Sequence, residues 1–304
     1  MAIGDLEPVS LGGVSDVYYL DTGMFDAPAY SAVYVLDAER PAVVDTGIGT
    51  ETDLVLDALD RLDIAPGELA YIVPTHVHLD HAGGAGYLAA ACPDATVAVP
   101  EAGAPHLVDP GQLVAGTKRA VGDEWEFYAE PAAIPPDRVR SLADGDAVDL
   151  GDRELVAHDA PGHAPHQAVF HDAADGIVFT ADAAGLYLPS PDEVRPLSPP
   201  PNFDLEQCLA DVEAIASLDP AVLCYPHFGP ARPADRLDTY ARVLDDWVAD
   251  VDAARGRFDD AEGVVDHFYE RDHVLAELWG ERRARANFDL NVRGAIHYLE
   301  RRDG

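Results

Sequence analysis

Residues 75–81, Thr75-His76-Val77-His78-Leu79-Asp80-His81, decide how this chain is read. Three imidazoles and a carboxylate fall in the pattern His-x-His-x-Asp-His. The apolar run Leu69-Ala70-Tyr71-Ile72-Val73-Pro74 before them has strand length, and residues 82–91 after them read as a helix opened by small residues, Ala82, Gly83, Gly84, Ala85 and Gly86. The polar cluster therefore sits on a strand-to-helix turn, where an open α/β sheet places its chemistry. Neutral imidazole is the commonest side-chain metal ligand, and carboxylate is its natural charged companion. His76 and His78 alternate, so extended backbone projects them to one side, and Asp80 and His81 follow where the chain changes direction. A lone histidine here would read as solvated, and an aspartate as a helix cap. Three histidines and an aspartate at one strand end read as half of a two-metal site.

The stretch resembles the signature of the metallo-β-lactamase superfamily, and further motifs in the same order extend the resemblance over residues from about 10 to 232. They are Asp45-Thr46-Gly47 after an apolar run, Asp159-Ala160-Pro161-Gly162-His163, Phe179-Thr180-Ala181-Asp182 and Tyr225-Pro226-His227-Phe228-Gly229. The resemblance implies an α/β fold, a four-layer αββα sandwich over residues 1–232, with a C-terminal helical extension over 233–304. It implies one metal at His76, His78 and His163, a second at Asp80, His81 and His227, and Asp182 shared between them. Asp45 would orient a ligand histidine, as carboxylates behind a ligand do. Two divalent ions are expected, zinc first, with iron or manganese able to use the same donors.

The chemistry this resemblance implies is that of a glyoxalase II-like binuclear hydrolase of an ester, thioester or lactone. A hydroxide bridging the metals would attack the carbonyl carbon, with Asp80 and Asp182 as the catalytic carboxylates. The alternative on the same scaffold is a sulfur dioxygenase-type oxidoreductase with a single iron at His76, His163 and Asp182. Tyr187, five residues beyond Asp182, offers a phenol that could donate to a developing oxyanion. His166, three residues beyond His163, reads as a substrate contact or as a surface histidine.

Composition narrows the partners. The net charge is -36, and Lys118 is the only lysine. A uniformly acidic, lysine-poor surface resembles those of halophile proteins, in which salt screens self-repulsion. It repels phosphate backbones and anionic membranes, so a small-molecule substrate is expected, with no nucleic acid and no membrane partner. Three scattered cysteines, Cys92, Cys208 and Cys224, suit neither a disulfide frame nor a cysteine-rich zinc site. The first residues lack a basic segment followed by an apolar run, so a cytoplasmic protein is expected.

The rest of the chain reads as alternating elements. Strands are expected at 14–20, 31–36, 42–45, 95–99, 176–180 and 222–225, with a hairpin at 148–158. Helices are expected at 51–62 and 204–217 from their apolar spacing. Residues 22–30, with Met24 and Phe25, read as a pocket-lining loop or a plain hairpin connection. Residues 101–140 break the pattern with prolines and glycines around Trp125, Phe127 and Tyr128, and read as a lid or a packing excursion; His106 within them reads as structural. Gly162 is expected to allow a tight turn that delivers His163. The proline-heavy residues 189–202 are expected to form an extended loop. Apolar stripes then predict helices over 237–251, 264–279 and 288–299, as a cap or a homodimer surface.

Overall fold

The computed structural model describes residues 1–304. Its first sheet takes seven strands in chain order: β1 Leu6–Pro8, β2 Val17–Asp21, β3 Ala32–Leu36, β4 Ala42–Val44, β5 Tyr71–Val73, β6 Thr96–Pro100 and β7 Val139–Leu142. β1 to β4 form an antiparallel meander, and β4 to β7 run parallel. Parallel neighbours need crossovers. Helix α1 (Thr52–Arg61) joins β4 to β5, α2 (Leu79–Ala82) and α3 (Ala85–Ala91) join β5 to β6, and α4 (Ala104–Val108) and α5 (Gly111–Val121) join β6 to β7.

The second sheet is built from β8 Ala147–Asp149, β9 Glu154–Asp159, β10 Ala168–Asp172 and β11 Ile177–Phe179, closed later by two more strands. The chain first leaves it to make a small hairpin, β12 Leu186–Leu188 and β13 Glu193–Arg195, and helix α6 (Leu205–Ser217). It returns as β14 Val222–Tyr225, parallel to β11, and β15 Gly229–Ala231. Helices α7 (Arg236–Arg255), α8 (Ala261–Tyr269), α9 (Val274–Trp279) and α10 (Glu281–Asp303) complete the chain.

Side-chain alternation along the strands explains the stacking. In β3, Tyr34 and Leu36 join a core with Phe170, Phe179, Val222 and Cys224 of the second sheet, while Val33 and Val35 pack with Val55, Leu59 and Leu88 of the first sheet's outer helices. The far face of the second sheet, with Val178, Leu223 and Tyr225, shares a third core with Val212 of α6, Leu244 and Val251 of α7 and Val292 of α10. The order helices, sheet, sheet, helices is the expected four-layer αββα sandwich. Residues 233–304 supply much of its last layer.

Several local expectations change. The stripe over 264–279 is two helices, because Asp272 accepts the Val274 amide at 3.0 Å and pairs with Arg195, which ends α8 and restarts the chain as α9. The proline-heavy stretch is not wholly irregular, since Pro189 and Pro191 lie in the turn between β12 and β13 and leave both strands free to pair. The lid-like excursion ends in β7, which returns to the first sheet beside β6. No helix is long and apolar enough to cross a membrane.

Candidate metal centre

Asp45 follows β4, and His76 to His81 follow β5, at the carboxyl ends of two parallel strands. His163 follows β9, Asp182 follows β11 and His227 follows β14; β9 and β11 each run antiparallel to β10, so these three strands point the same way. The two sheets are joined beside these loops by direct hydrogen bonds. The Ala168 amide donates to the Thr75 carbonyl at 3.0 Å, and the Ala32 amide to the Pro226 carbonyl at 2.7 Å. Topology alone therefore delivers every expected ligand loop to one edge of the sandwich.

There the seven side chains converge. His78 Nδ1 lies 3.1 Å from His76 Nε2 and 3.0 Å from His163 Nε2, and His163 Nε2 lies 3.3 Å from Asp182 Oδ2. On the other side, Asp80 Oδ2 lies 3.6 Å from both His81 Nε2 and His227 Nε2. Asp182 Oδ1 lies 3.5 Å from His81 Nε2 and 3.7 Å from His227 Nε2. Donors about 2.0–2.1 Å from one tetrahedral ion stand roughly 3.3–3.4 Å from each other, so these spacings suit two such ions. Each carboxylate oxygen of Asp182 faces a different set. His81 Nε2 and Asp182 Oδ1 are buried without a hydrogen-bond partner, which a cation between them would supply.

The surroundings fix which nitrogen of His81 and of His227 faces inward. Buried Asp45 accepts the Thr75 amide at 2.8 Å and the Thr75 hydroxyl at 2.9 Å, and its second oxygen lies 3.0 Å from His81 Nδ1. With the proton on Nδ1, His81 turns its Nε2 lone pair to the centre. His227 Nδ1 donates to the Tyr30 carbonyl at 3.0 Å, with the same result. Asp45 and Ala181, the residue before Asp182, both have left-handed backbone, with φ of 61° and 46°. Such conformations cost of order 1–3 kcal/mol and cluster at functional sites.

Electrostatics point the same way. Burial and neighbouring imidazoles push His76 and His78 well below the usual histidine range. Burial opposes the His81 cation too, but Asp182, Asp80 and Asp45 overcome it and hold that imidazole well above its ordinary value. Burial likewise opposes ionisation of Asp182 and Asp80, and the charge of His81 outweighs it, leaving both carboxyls far below the normal range. The centre thus prefers a positive charge between its carboxylates, and a proton on His81 is the substitute at hand.

The two tentative substrate residues fare differently. His166 is buried, its ring stacked 6.0 Å from that of His76 and edge-on at 5.2 Å to that of His78, with His106 6.1 Å away. Burial and the neighbouring His163 and His106 push it down to about 4, so it is not a surface histidine. The Tyr187 hydroxyl instead donates to Asp192 at 2.8 Å under the Arg236 guanidinium, which corrects the oxyanion reading. Tyr187 serves through its main chain: its amide donates to the His227 carbonyl, and its carbonyl accepts the Phe228 amide at 3.0 Å.

Gly162 lies in the expected turn before His163, but its small size answers to packing rather than to backbone sign. Its backbone is not left-handed; a Cβ there would stand 2.3 Å from the amide nitrogen of Cys208 in α6, so close packing requires the glycine. Sequence reading missed Gln167, whose side chain donates to the Ala160 carbonyl at 2.9 Å and accepts the Asp182 amide at 3.2 Å, tying the loops of His163 and Asp182 together. It missed Thr75 and Tyr30 as well. Thr75 stood in the quoted stretch, but nothing local indicated its partner Asp45. A cavity of about 760 Å³ lies elsewhere, between the β12–β13 hairpin and α7 to α10, and none of the seven residues lines it.

An αββα sandwich with a histidine–aspartate centre at one edge of its paired sheets defines a class, the metal-dependent hydrolases of this architecture. Residues 26–227 match the metallo-beta-lactamase superfamily, and the chain belongs to it. It is 27% identical over 222 residues to the metallo-beta-lactamase fold-containing protein ST1585 of Sulfurisphaera tokodaii, covering 71% of this chain and 80% of that one. The crystal structure of ST1585 superposes with a TM-score of 0.71 at 21% identity, over 93% of this chain and 99% of that one. The acyl-coenzyme A thioesterase MBLAC2 of Bos taurus is 31% identical over 166 residues, 49% of this chain and 56% of its own length. The N-acyl homoserine lactonase of Bacillus thuringiensis is 27% identical over 209 residues, 60% of this chain and 73% of its own.

Proposed function

We propose that this chain is a binuclear hydrolase of an ester, thioester or lactone. The observation that carries the reading is the pair of three-donor sets, His76–His78–His163 and Asp80–His81–His227, with one oxygen of Asp182 turned to each. Nitrogen-rich sets, three histidines beside Asp182 and two histidines beside Asp80 and Asp182, suit zinc. Two divalent cations bound there would lower the pKa of a water and polarise a carbonyl. The chain's own residues do the rest. Asp45 and the Tyr30 carbonyl hold His81 and His227 in the tautomer that presents Nε2. Asp80, half-buried on the open side, offers an oxygen that orients a water. The buried imidazoles exclude bulk solvent from beneath.

The fully assembled second set favours this reading over a single iron at His76, His163 and Asp182, which would leave Asp80, His81 and His227 without a task. A thioesterase and a lactonase among the relatives support an acyl substrate. The net charge of -36 favours a small molecule over a nucleic acid. The test is hydrolysis of a panel of thioesters, lactones and phosphodiesters by zinc-loaded protein in high salt. Turnover confined to acyl substrates and abolished by chelation supports the reading; oxygen uptake with a persulfide and no hydrolysis overturns it.

A further inference from the structure

Three segments far apart in sequence meet beside His227 and leave aromatic faces there. Tyr30, whose carbonyl holds His227, also sets its ring edge-on to that imidazole at 5.8 Å. Trp279 of α9 packs on Tyr30 at 4.5 Å and Phe25 packs on it at 5.2 Å. Phe25 in turn meets Tyr128 of the 101–140 excursion at 5.7 Å and Phe127 at 6.0 Å. Phe25 and Asp26 both have left-handed backbone, with φ of 63° and 57°, so the loop is held in a strained form that presents the Phe25 ring. Phe25, Tyr30, Phe127 and Tyr128 are only partly buried.

One side chain fastens this assembly. Arg283 of α10 is 7% exposed, and its guanidinium lies 4.4 Å from the Phe25 ring centre and 3.9 Å from that of Phe127. It pairs with Glu124, which also accepts Arg282 Nε at 2.8 Å. The two rings stand edge-on to each other, and the one cation lies within reach of both, a contact that the more strongly hydrated ammonium of lysine would not reproduce. Because Glu124 neutralises the guanidinium and the rings cover it, the wall offers ring faces rather than free charge.

We infer that Arg283 is a positioning residue that locks Phe25 and the 124–128 segment into an aromatic wall beside His227, and that this wall takes the apolar acyl group of the substrate. The inference rests on the hydrolase reading for its kinetics, but its binding arm does not. Each methylene buried against the wall tightens binding about fourfold, so two of octanoate's six extra methylenes give more than tenfold over acetate.

The experiment uses the metal-loaded full chain. Calorimetry compares octanoate with acetate, and 4-nitrophenyl octanoate and acetate report turnover. Octanoate is expected to bind at least tenfold tighter. Arg283→Gln is expected to cut that ratio below threefold at unchanged metal content, raising KM for the octanoyl ester more than it lowers kcat. Equal affinities in the wild type, a ratio kept above tenfold in Arg283→Gln, or a fall in kcat alone would overturn the inference. Should Arg283→Gln not fold, Phe127→Ala removes one of the two rings that Arg283 holds and carries the same test. Failure to turn over either ester would sink the hydrolase reading, while the binding ratio still decides the wall.

Discussion

Asp45→Asn separates the geometry of the centre from its charge. The carboxylate is buried and accepts three donors: the Thr75 amide, the Thr75 hydroxyl and His81 Nδ1–H. Asparagine is nearly isosteric and tolerates the left-handed backbone at φ 61°, so the turn survives. Its carbonyl oxygen still accepts from Thr75, but its NH₂ then faces His81 Nδ1. Two donors cannot share that contact, so His81 must switch tautomer and point Nε2–H at the centre. Losing such a partner behind a ligand costs 10- to 100-fold in metal affinity. One buried donor left unpaired costs about 1–3 kcal/mol. The expected outcome is one strongly held ion per chain after dialysis, the other weakened by about 10- to 100-fold, with only a modest fall in stability. Metal analysis across a chelator series, with circular dichroism melts of the same samples, measures both. Two ions held as tightly as in the wild type would refute the reasoning.

Three further outcomes are expected. Asp182, Asp80 and Asp45 raise His81, and the Asp80 hydrogen bond and Asp182 raise His227, both against burial, so metal must displace protons there. The sign is that metal affinity rises with pH up to the raised values and falls about tenfold per pH unit for each proton displaced below them; calorimetry near neutral pH in buffers of different ionisation enthalpy should find net proton release, and none would contradict the assignment. Gly162→Ala should cost about 1–3 kcal/mol in a denaturant melt, because its Cβ would stand 2.3 Å from Cys208 N and 2.6 Å from Cys208 Cα. With a net charge of -36, the melting temperature should rise from 0.1 to 1 M salt as the screening length falls from about 10 to 3 Å, and a flat response would count against self-repulsion.

Much of the architecture was legible because burial imposes simple periods. β3 and β14 are apolar throughout since both of their faces are covered, and Val55, Ala58 and Leu59 mark the covered face of α1. The ligand loops were legible because each combines a strand end with a donor residue in a family motif. What stayed hidden depends on distant partners. Nothing near Thr75 announces Asp45, and nothing near Arg283 announces Phe25, Glu124 and Phe127. The Tyr187 phenol turns elsewhere because Asp192, in a hairpin turn that the prolines concealed, and Arg236 of α7 hold it. His166 stayed open between a substrate contact and a surface residue because its burial comes from packing against His76 and His78, not from its neighbours in the chain.

Metal stoichiometry of the full chain, purified without chelator and reloaded with zinc in high salt, tests the centre most directly. The geometry around Asp182 predicts two ions per chain, falling to one when His227→Ala removes a donor from the second set alone. A wild-type chain that binds a single ion, or none, would contradict it.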